Sequence, residues 1–468
     1  MRKLSLSWDL PVVAAAALVG AWGITTPSLW RDESVSAMVA RMSFGDLFAF
    51  LGDLDAVHAL YYLVLRPFAA IEAGPVEWWL RAPSWLAFVG AAYGVAVLGR
   101  RLAGPVAGLM AGMVYVVLPI ASRYGQEARS YALVSLVAVA ATWFLVELIE
   151  GRRPRRAFAG YFVSVCLLGA LHLYALLLLL AHGVAVVAAA RTSPERSRRE
   201  VVAWVSACAS AAVVLTPLVV IAAGQRETQV WWLKRPGLAE IGAFPVEVAG
   251  GVAGAVVLGA LVAAGIWAAR RTPVVGVWAI VPFAAAVAVS QVQPVYHARY
   301  VLYVVPGIAL AAGIGLAVLA RRWSPVAAAG GVTALAVLAA EAQVAQREPG
   351  ARPDDLRALS ATLAAERRPG DRVLFVPHRY RLFTAVYGEL YRNLVDVTRE
   401  PGSAVPRSGA QVRAALAGAR RVWLVSPWIG ARYRDDERLV GLRAGFEPGP
   451  VRAFGDVRLT LYERRAES

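Results

Sequence analysis

Cysteine, lysine and histidine are scarce in this chain. Its two cysteines, Cys166 and Cys208, both lie inside apolar runs, which excludes a disulfide framework and a CxxC metal site. Lysine occurs only at Lys3 and Lys234 among 48 basic residues, the rest being arginine. There is no Gly-rich phosphate loop, no HxxxH pair and no internal repeat. The long apolar runs hold almost no charge. Nothing after the charged start Met1-Arg2-Lys3 reads as a signal-cleavage site, so the first apolar run is expected to remain as a span.

Apolar sequence is what the chain has in abundance. Of 468 residues, 58% are hydrophobic and 17% charged, a balance that soluble domains do not show. The net charge of +16 comes from arginines in short clusters between apolar runs, with no basic face carrying interleaved aromatics, so nucleic acid is not the expected partner. The clusters are Arg2-Lys3, Arg100-Arg101, Arg152 to Arg156, Arg191 to Arg199, Arg270-Arg271 and Arg321-Arg322. Basic loops face the cytoplasm, and two apolar runs separate each neighbouring pair of clusters, which closes the topology without contradiction. The expected spans are residues 10–25, 82–99, 104–121, 131–149, 157–171, 175–190, 201–222, 247–268, 274–291, 301–320 and 325–343. These are about eleven crossings, with the N-terminus cytoplasmic and the C-terminus outside. Ala56 to Ala70, short and interrupted by Arg66-Pro67, reads as an interfacial or re-entrant helix inside a long external loop over residues 26–81.

Past Ala345 charges rise, and Pro349-Gly350 and Pro353 mark a linker. Asp354 to Arg367 reads as an amphipathic helix. Asp371 to Pro377 and Arg420 to Pro427 read as buried strands, with helical stretches over 380–392 and 409–418 and a closing pair around 445–463. The division is therefore a membrane domain over 1–345 and a small α/β domain over 346–468, outside the cytoplasm.

Polar and aromatic residues gather at the external edges. Trp30-Arg31-Asp32-Glu33 follows the first span, Tyr124-Gly125-Gln126-Glu127-Ala128-Arg129 the third, His172-Leu173-Tyr174 the fifth and Tyr296-His297-Ala298-Arg299 the ninth. A carboxylate at such a mouth can bind a metal, take a proton from a hydroxyl, or be a solvated helix start. Glu127 beside Arg129 repeats the acid-plus-arginine pattern, and a base with a counter-charge for a leaving phosphate is a coherent pair. Arg129 and Arg299 stand where a lipid phosphate would lie; the plain alternative is an arginine snorkelling from a helix end. His58, His172 and His297 lack metal-ligand spacing. Tyr61, Tyr62, Tyr124, Tyr296, Trp231 and Trp232 serve either as interfacial anchors or as substrate contacts.

The ordered set Trp30-Arg31-Asp32-Glu33, Asp55-Ala56-Val57-His58-Ala59-Leu60-Tyr61-Tyr62, Arg81-Ala82-Pro83-Ser84 and Ser122-Arg123-Tyr124-Gly125-Gln126-Glu127-Ala128-Arg129 resembles the bacterial GT-C glycosyltransferases over about residues 10–345. The nearest branch is glycosyltransferase family 39, the protein O-mannosyltransferase and aminoarabinose-transferase group. That resemblance implies a polytopic α-helical membrane protein of GT-C fold with a small C-terminal extracytoplasmic α/β domain. It implies an inverting transferase in the cell membrane that moves a sugar from a polyprenyl-phosphate donor to a hydroxyl of a glycan, lipid or protein acceptor. Asp32 matches the base position, with Glu33 beside it; Glu127 matches the second-loop acid on the acceptor side and Arg129 a phosphate ligand. Arg299 and Tyr124 join the donor side, and His58, Tyr61, Tyr62, Gln126, His172, Tyr296 and His297 the substrate contacts. Ala59 and Leu60 replace the two prolines that follow this histidine in many members. No cofactor is called for, and a divalent cation is not indicated. The arginine-rich, Ala-, Gly- and Val-rich composition leans towards mannose. The competing readings are a lipid or sugar transporter, against which stand the lack of an internal repeat and the near-absence of charge within the spans, and a non-catalytic cell-envelope assembly protein.

Overall fold

A computed structural model describes residues 9–192, 194–229, 233–400, 405–429 and 431–465. The basic start Arg2-Lys3 and the pair Trp231-Trp232 lie outside the described residues. The chain divides into two compact units, one of Met1–Ile24, Met42–Ile71 and Trp79–Ala345, the other of Thr25–Arg41, Glu72–Trp78 and Gln346–Ser468.

The first unit is helical, as a lipid-facing chain must be when no water is at hand to satisfy its peptide groups. Among the described residues seven helices are long and apolar enough to cross a membrane: Val76–Ala103, Tyr131–Ile149, Leu173–Arg191, Arg198–Arg226, Pro273–Val292, Ala298–Arg322 and Pro325–Ala345. Two bent pairs, Pro105–Val117 with Pro119–Gly125 and Leu238–Ala249 with Val252–Ala268, turn by 67° and 85° and raise the number to nine if each is one span. The breaks fall at Pro119 and at Gly250-Gly251, both glycines having positive φ, which is where an α-helix cannot continue. The two other expected spans are also helical, but shorter in apolar length. Leu10–Ala21 has 12 residues, and Pro154–Leu171 opens on Arg155-Arg156. The stretch from Ala56 is a 3-10 turn, Ala56–His58, followed by the helix Ala59–Ala69 with Pro67 inside it. At 1.5 Å per residue that helix is about 16 Å long, too short to cross. The chain is a multi-pass membrane protein.

Two features hold the helices in register. Ala298–Arg322, 89% buried, approaches its neighbours through small residues. A Cβ on Gly265 would lie 1.8 Å from the Ala311 carbonyl oxygen, and one on Gly313 would lie 2.3 Å from Ala111 Cα. In a solvent of acyl chains, such backbone contact replaces the hydrophobic drive of a water-soluble core. The second feature is a directed chain of hydrogen bonds around the fully buried His182. Trp204 Nε1 donates to the Tyr161 hydroxyl at 2.9 Å, which leaves that hydroxyl to donate to His182 Nδ1 at 2.9 Å. Thr142 Oγ1 donates to the Ala138 carbonyl at 2.8 Å, so it accepts from His182 Nε2 at 3.2 Å. Each donor finds one acceptor, and a histidine that would otherwise be costly in the membrane pins four helices together.

The second unit is built on a five-stranded sheet of order β2-β1-β3-β5-β4, with β1 at Arg372–Phe375, β2 at Val395–Asp396, β3 at Arg421–Pro427, β4 at Phe446–Phe454 and β5 at Val457–Arg464. β1 runs parallel to β2 and β3, while β5 is antiparallel to β3 and to β4. Val422 to Val425 are all buried, the uninterrupted apolar run of a strand covered on both faces. The helix Leu356–Glu366 is capped by Asp355, whose carboxylate accepts from Ala358 N at 3.0 Å. The short strand β2 and the helix Glu437–Gly445 carry no clear periodicity and escape a reading of the sequence. Arg31, on the helix Arg31–Arg41, belongs to this unit: its Nε and Nη2 donate to the buried Asp354 at 3.2 and 3.1 Å, and Nη2 also reaches Asp456 at 3.4 Å. Glu77 accepts from Arg357 Nη2 at 2.6 Å and from the Tyr387 hydroxyl at 2.7 Å.

Candidate functional site

In the first unit the polar residues of four separate segments converge. Arg129 is 8% exposed at the start of the helix Tyr131–Ile149, and its Nη2 lies 2.8 Å from His58 Nε2. A guanidinium only donates, so His58 accepts at Nε2 and holds its proton on Nδ1. That buried Nδ1 has no hydrogen-bond partner among the described residues, and the same is true of His172 Nδ1. Arg129 also bonds the Tyr62 hydroxyl, which donates to Asp55 Oδ2 at 2.9 Å. Ser84 Oγ donates to the Arg129 carbonyl at 3.0 Å.

Burial, reinforced by the charge of Arg129, pushes the His58 pKa well below its ordinary value. The same causes, with Arg299, push His172 down to about 3. Both imidazoles are therefore neutral at any physiological pH and leave the two guanidinium charges unopposed by further cations. Around them lies a ring of aromatics: Tyr300 is 5.0 Å from His172, 6.3 Å from Tyr131, 6.1 Å from Tyr174 and 5.7 Å from His297, centroid to centroid. Tyr124 meets Tyr131 edge-on at 5.2 Å, and Arg299 lies over the Tyr300 ring at 5.4 Å. Two arginines, two neutral imidazoles with donors to offer and a rim of phenols suit a dianion attached to an apolar or sugar body. The helix Tyr131–Ile149 places this cluster at one end, and Arg152 and Arg156, which pair with Glu150 at 3.0 Å and Glu147 at 4.0 Å, at the other. The separation along 19 residues is about 28 Å, the thickness of a hydrocarbon core.

The remaining candidates take other roles. Glu127 is fully buried, and its Oε2 accepts from Arg123 Nη1 at 2.7 Å. Gln126 donates to the carbonyls of Gly20 and Trp22, each at 2.8 Å, closing the end of the helix Leu10–Ala21. Tyr61 is buried beside Tyr62. Tyr296 is buried against Phe283, and its hydroxyl donates to the Glu240 carbonyl at 3.5 Å. His297 Nδ1 caps the following turn by accepting from Arg299 N at 3.3 Å. Among the described residues no group of three histidine, cysteine or carboxylate side chains is arranged to hold a metal ion.

Asp32 and Glu33 belong to the second unit, in the first turn of Arg31–Arg41. Glu33 is buried, and its Oε2 accepts from Trp30 N at 3.4 Å, a helix-start contact. Asp32 is half-buried. Arg31, which could have neutralised either neighbour, commits its guanidinium to Asp354.

Asp55, Ser84, Tyr174, Tyr300 and Gln225 also belong to the site, although the sequence assigns none of them a role. Gln225 accepts from Ala56 N at 3.0 Å and donates to the carbonyls of Leu51 and Gly52 at 2.9 and 3.1 Å. One side chain thus holds the loop in which Asp55 adopts φ 61° and from which His58 reaches Arg129. Gln225→Ala is expected to loosen this loop at a cost of about 2 kcal/mol in unmet hydrogen bonds, read as faster proteolysis between Leu51 and His58 and weaker ligand binding at Arg129. Gln225→Glu keeps the acceptor for Ala56 and should fall between the two; an unchanged cleavage rate in both variants would remove the clamp.

The neutral histidines also set an acid limit. With the folded pKa of His172 near 3 and the unfolded value near 6.5, the unfolded chain binds the proton that the folded one refuses between those limits. Stability is then full above pH 6.5 and falls as the pH drops, by about 1.4 kcal/mol per unit for each such histidine. His172→Gln should flatten the decline in melting temperature between pH 7.5 and 5 in detergent, as seen in a thermal-unfolding series; the same slope in both proteins would contradict it.

No protein-family model matches the chain, and no curated protein sequence matches it. Solved structures do. ArnT from Cupriavidus metallidurans matches in its apo state with a TM-score of 0.66 and bound to undecaprenyl phosphate with 0.62, at 14% identity and over 98% of both chains. The apo oligosaccharyltransferase of Archaeoglobus fulgidus matches with a TM-score of 0.54 at 12% identity, over 91% of this chain and 70% of that one. At such identities the likeness is one of fold, and it runs through the membrane helices and the sheet domain alike. The chain has the fold of the GT-C membrane glycosyltransferases and resembles ArnT along nearly its whole length.

Proposed function

We propose that the protein is an inverting glycosyltransferase that takes a sugar from a polyprenyl-phosphate donor and places it on a hydroxyl acceptor outside the cytoplasm. The observation that carries this reading is the convergence of Arg129 and Arg299 on the neutral pair His58 and His172 at one end of a membrane-length helix. A lipid phosphate enters such a site from the bilayer with its headgroup already at the right depth. Two solved structures of this fold support it, since the ArnT and Archaeoglobus fulgidus AglB structures were obtained with undecaprenyl phosphate and with dolichol-phosphate.

In the proposed step the acceptor oxygen attacks C1 of the sugar on the face opposite the phosphate. The C1–O bond breaks, its electron pair leaves with the polyprenyl phosphate, and the acceptor proton passes to a carboxylate base, the role that the family resemblance gives to Asp32. Arg129 and Arg299 stabilise the departing charge, with donors from His58 and His172, and a phosphate needs no protonation to leave. Glu127, held by Arg123, shapes the loop that carries Arg129. Tyr124 and Tyr62 complete the donor side. The arginines beyond the opposite end of the helix support a cytoplasmic placing of that end in the cell membrane, with the sheet domain outside. Mannose is the sugar to try first, on composition alone. A panel of purified polyprenyl-phosphate sugars, scored for binding and slow hydrolysis, tests the reading. Indifference to every lipid-phosphate sugar, with free polyprenyl phosphate equally ignored, would end it.

A further inference from the structure

The sheet unit holds a crevice that the transfer reaction does not use. β1, β2 and β3 are parallel, and the segment after each carboxyl end contributes to it: His378 follows β1, Arg407 and Gln411 follow β2, and Asp436 to Arg438 follow β3. The chain leaves β1 for β2 on one side and then crosses to β3 on the other. Open sheets bind ligands at such reversals, in the gap beyond the carboxyl ends of the strands. The cavity has a volume of about 630 Å³, within the range of sites for small organic molecules.

Its charges are unevenly used. Arg438 donates to both oxygens of Asp436, Nε to Oδ1 at 2.9 Å and Nη2 to Oδ2 at 2.5 Å, so those two cancel. Arg407 forms no ion pair with any described acid, and Glu437 is likewise uncommitted. Gln411 gives its amide oxygen to Ser408 N at 2.9 Å and keeps its amide hydrogens. Behind the wall, Arg399 bridges to Pro406 and has a buried Nε with no hydrogen-bond partner among the described residues. Burial, reinforced by the charges of Arg399, Arg438 and Arg379, holds His378 below its ordinary pKa. Two arginines and two carboxylates line the crevice; with Arg438 and Asp436 cancelling, Arg407 is left as a guanidinium for an anion, beside one free carboxylate and one free amide to meet hydroxyls.

We propose that this crevice binds a sugar bearing a phosphate or carboxylate group, with Arg407 on the anion and Glu437 and Gln411 on the hydroxyls. The inference does not depend on glycosyl transfer, because binding is read without turnover. The full-length protein in detergent micelles is titrated with glucose 6-phosphate, glucuronate, glucose and inorganic phosphate, by calorimetry or ligand-observed NMR. At least one anionic sugar should bind saturably, and at least tenfold more tightly than glucose or inorganic phosphate. Arg407→Ala should weaken that binding tenfold or more, whereas Arg420→Ala, an exposed arginine away from the crevice, should leave it unchanged. No saturable binding below about 10 mM, binding undiminished in Arg407→Ala, or inorganic phosphate binding as tightly as the sugar phosphate would each overturn the proposal.

Discussion

Asp32→Asn protein is expected to fold, to bind the lipid-phosphate sugar and to transfer none of it. A positioned general base contributes about 10²- to 10⁴-fold to rate, and asparagine keeps the shape of the carboxylate while losing its basicity. The substitution is mild for the fold. Asp32 sits half-buried in the first turn of Arg31–Arg41, where an acid adds no more than about 1 kcal/mol through the helix dipole. The neighbouring anchors are untouched: Arg31 keeps Asp354 and Glu33 keeps its contact with Trp30 N. Transfer measured beside donor binding on one preparation separates the base role from a structural one. If Asp32→Asn retains more than about a tenth of the activity, Asp32 is not the base.

Arg129→Ala should have the second largest effect, and a different one. Its guanidinium bonds His58 and Tyr62 and faces the place proposed for the donor phosphate, so its loss removes a charge-assisted contact of about 1.5–3 kcal/mol. Donor affinity should fall roughly 10- to 100-fold, with acceptor affinity unchanged. Arg129→Lys tests the geometry: it restores the charge without the planar fork and should recover part of the loss. The backbone contact from Ser84 remains in both variants, so a folded protein is expected. Equal donor affinity in Arg129→Ala and the unaltered protein would assign the arginine to packing alone.

Much of the membrane part is legible in the chain because lipid imposes a simple rule. Every span must be long, apolar and helical, and the basic clusters that interrupt these runs are visible without coordinates. The bent helices at Pro119 and Gly250-Gly251 are less so: proline and glycine permit a break, but only packing decides its angle. The two buried strands of the sheet unit are read from unbroken apolar runs, whereas β2, with two residues, is too short to leave a pattern. The site is legible in part. Arg129, Arg299, His58 and His172 stand out as polar residues at apolar borders. Gln225 and Asp55 have no assigned role there, since Gln225 acts on backbone atoms of a distant loop and Asp55 on the Tyr62 hydroxyl.

The sequence by itself determined that this is a multi-pass membrane protein with a small α/β unit after it, and which loops hold acids and arginines. Hydropathy and charge are local properties that each segment carries wherever it lies. Only the tertiary structure decided that Arg31 serves Asp354, that Glu127 serves Arg123 and Gln126 a helix end, and that the arginines of two distant loops share one pair of neutral histidines. Those assignments turn on which of several equally polar neighbours comes within hydrogen-bonding distance, and on how far burial excludes water from each, and neither is a property of any one segment.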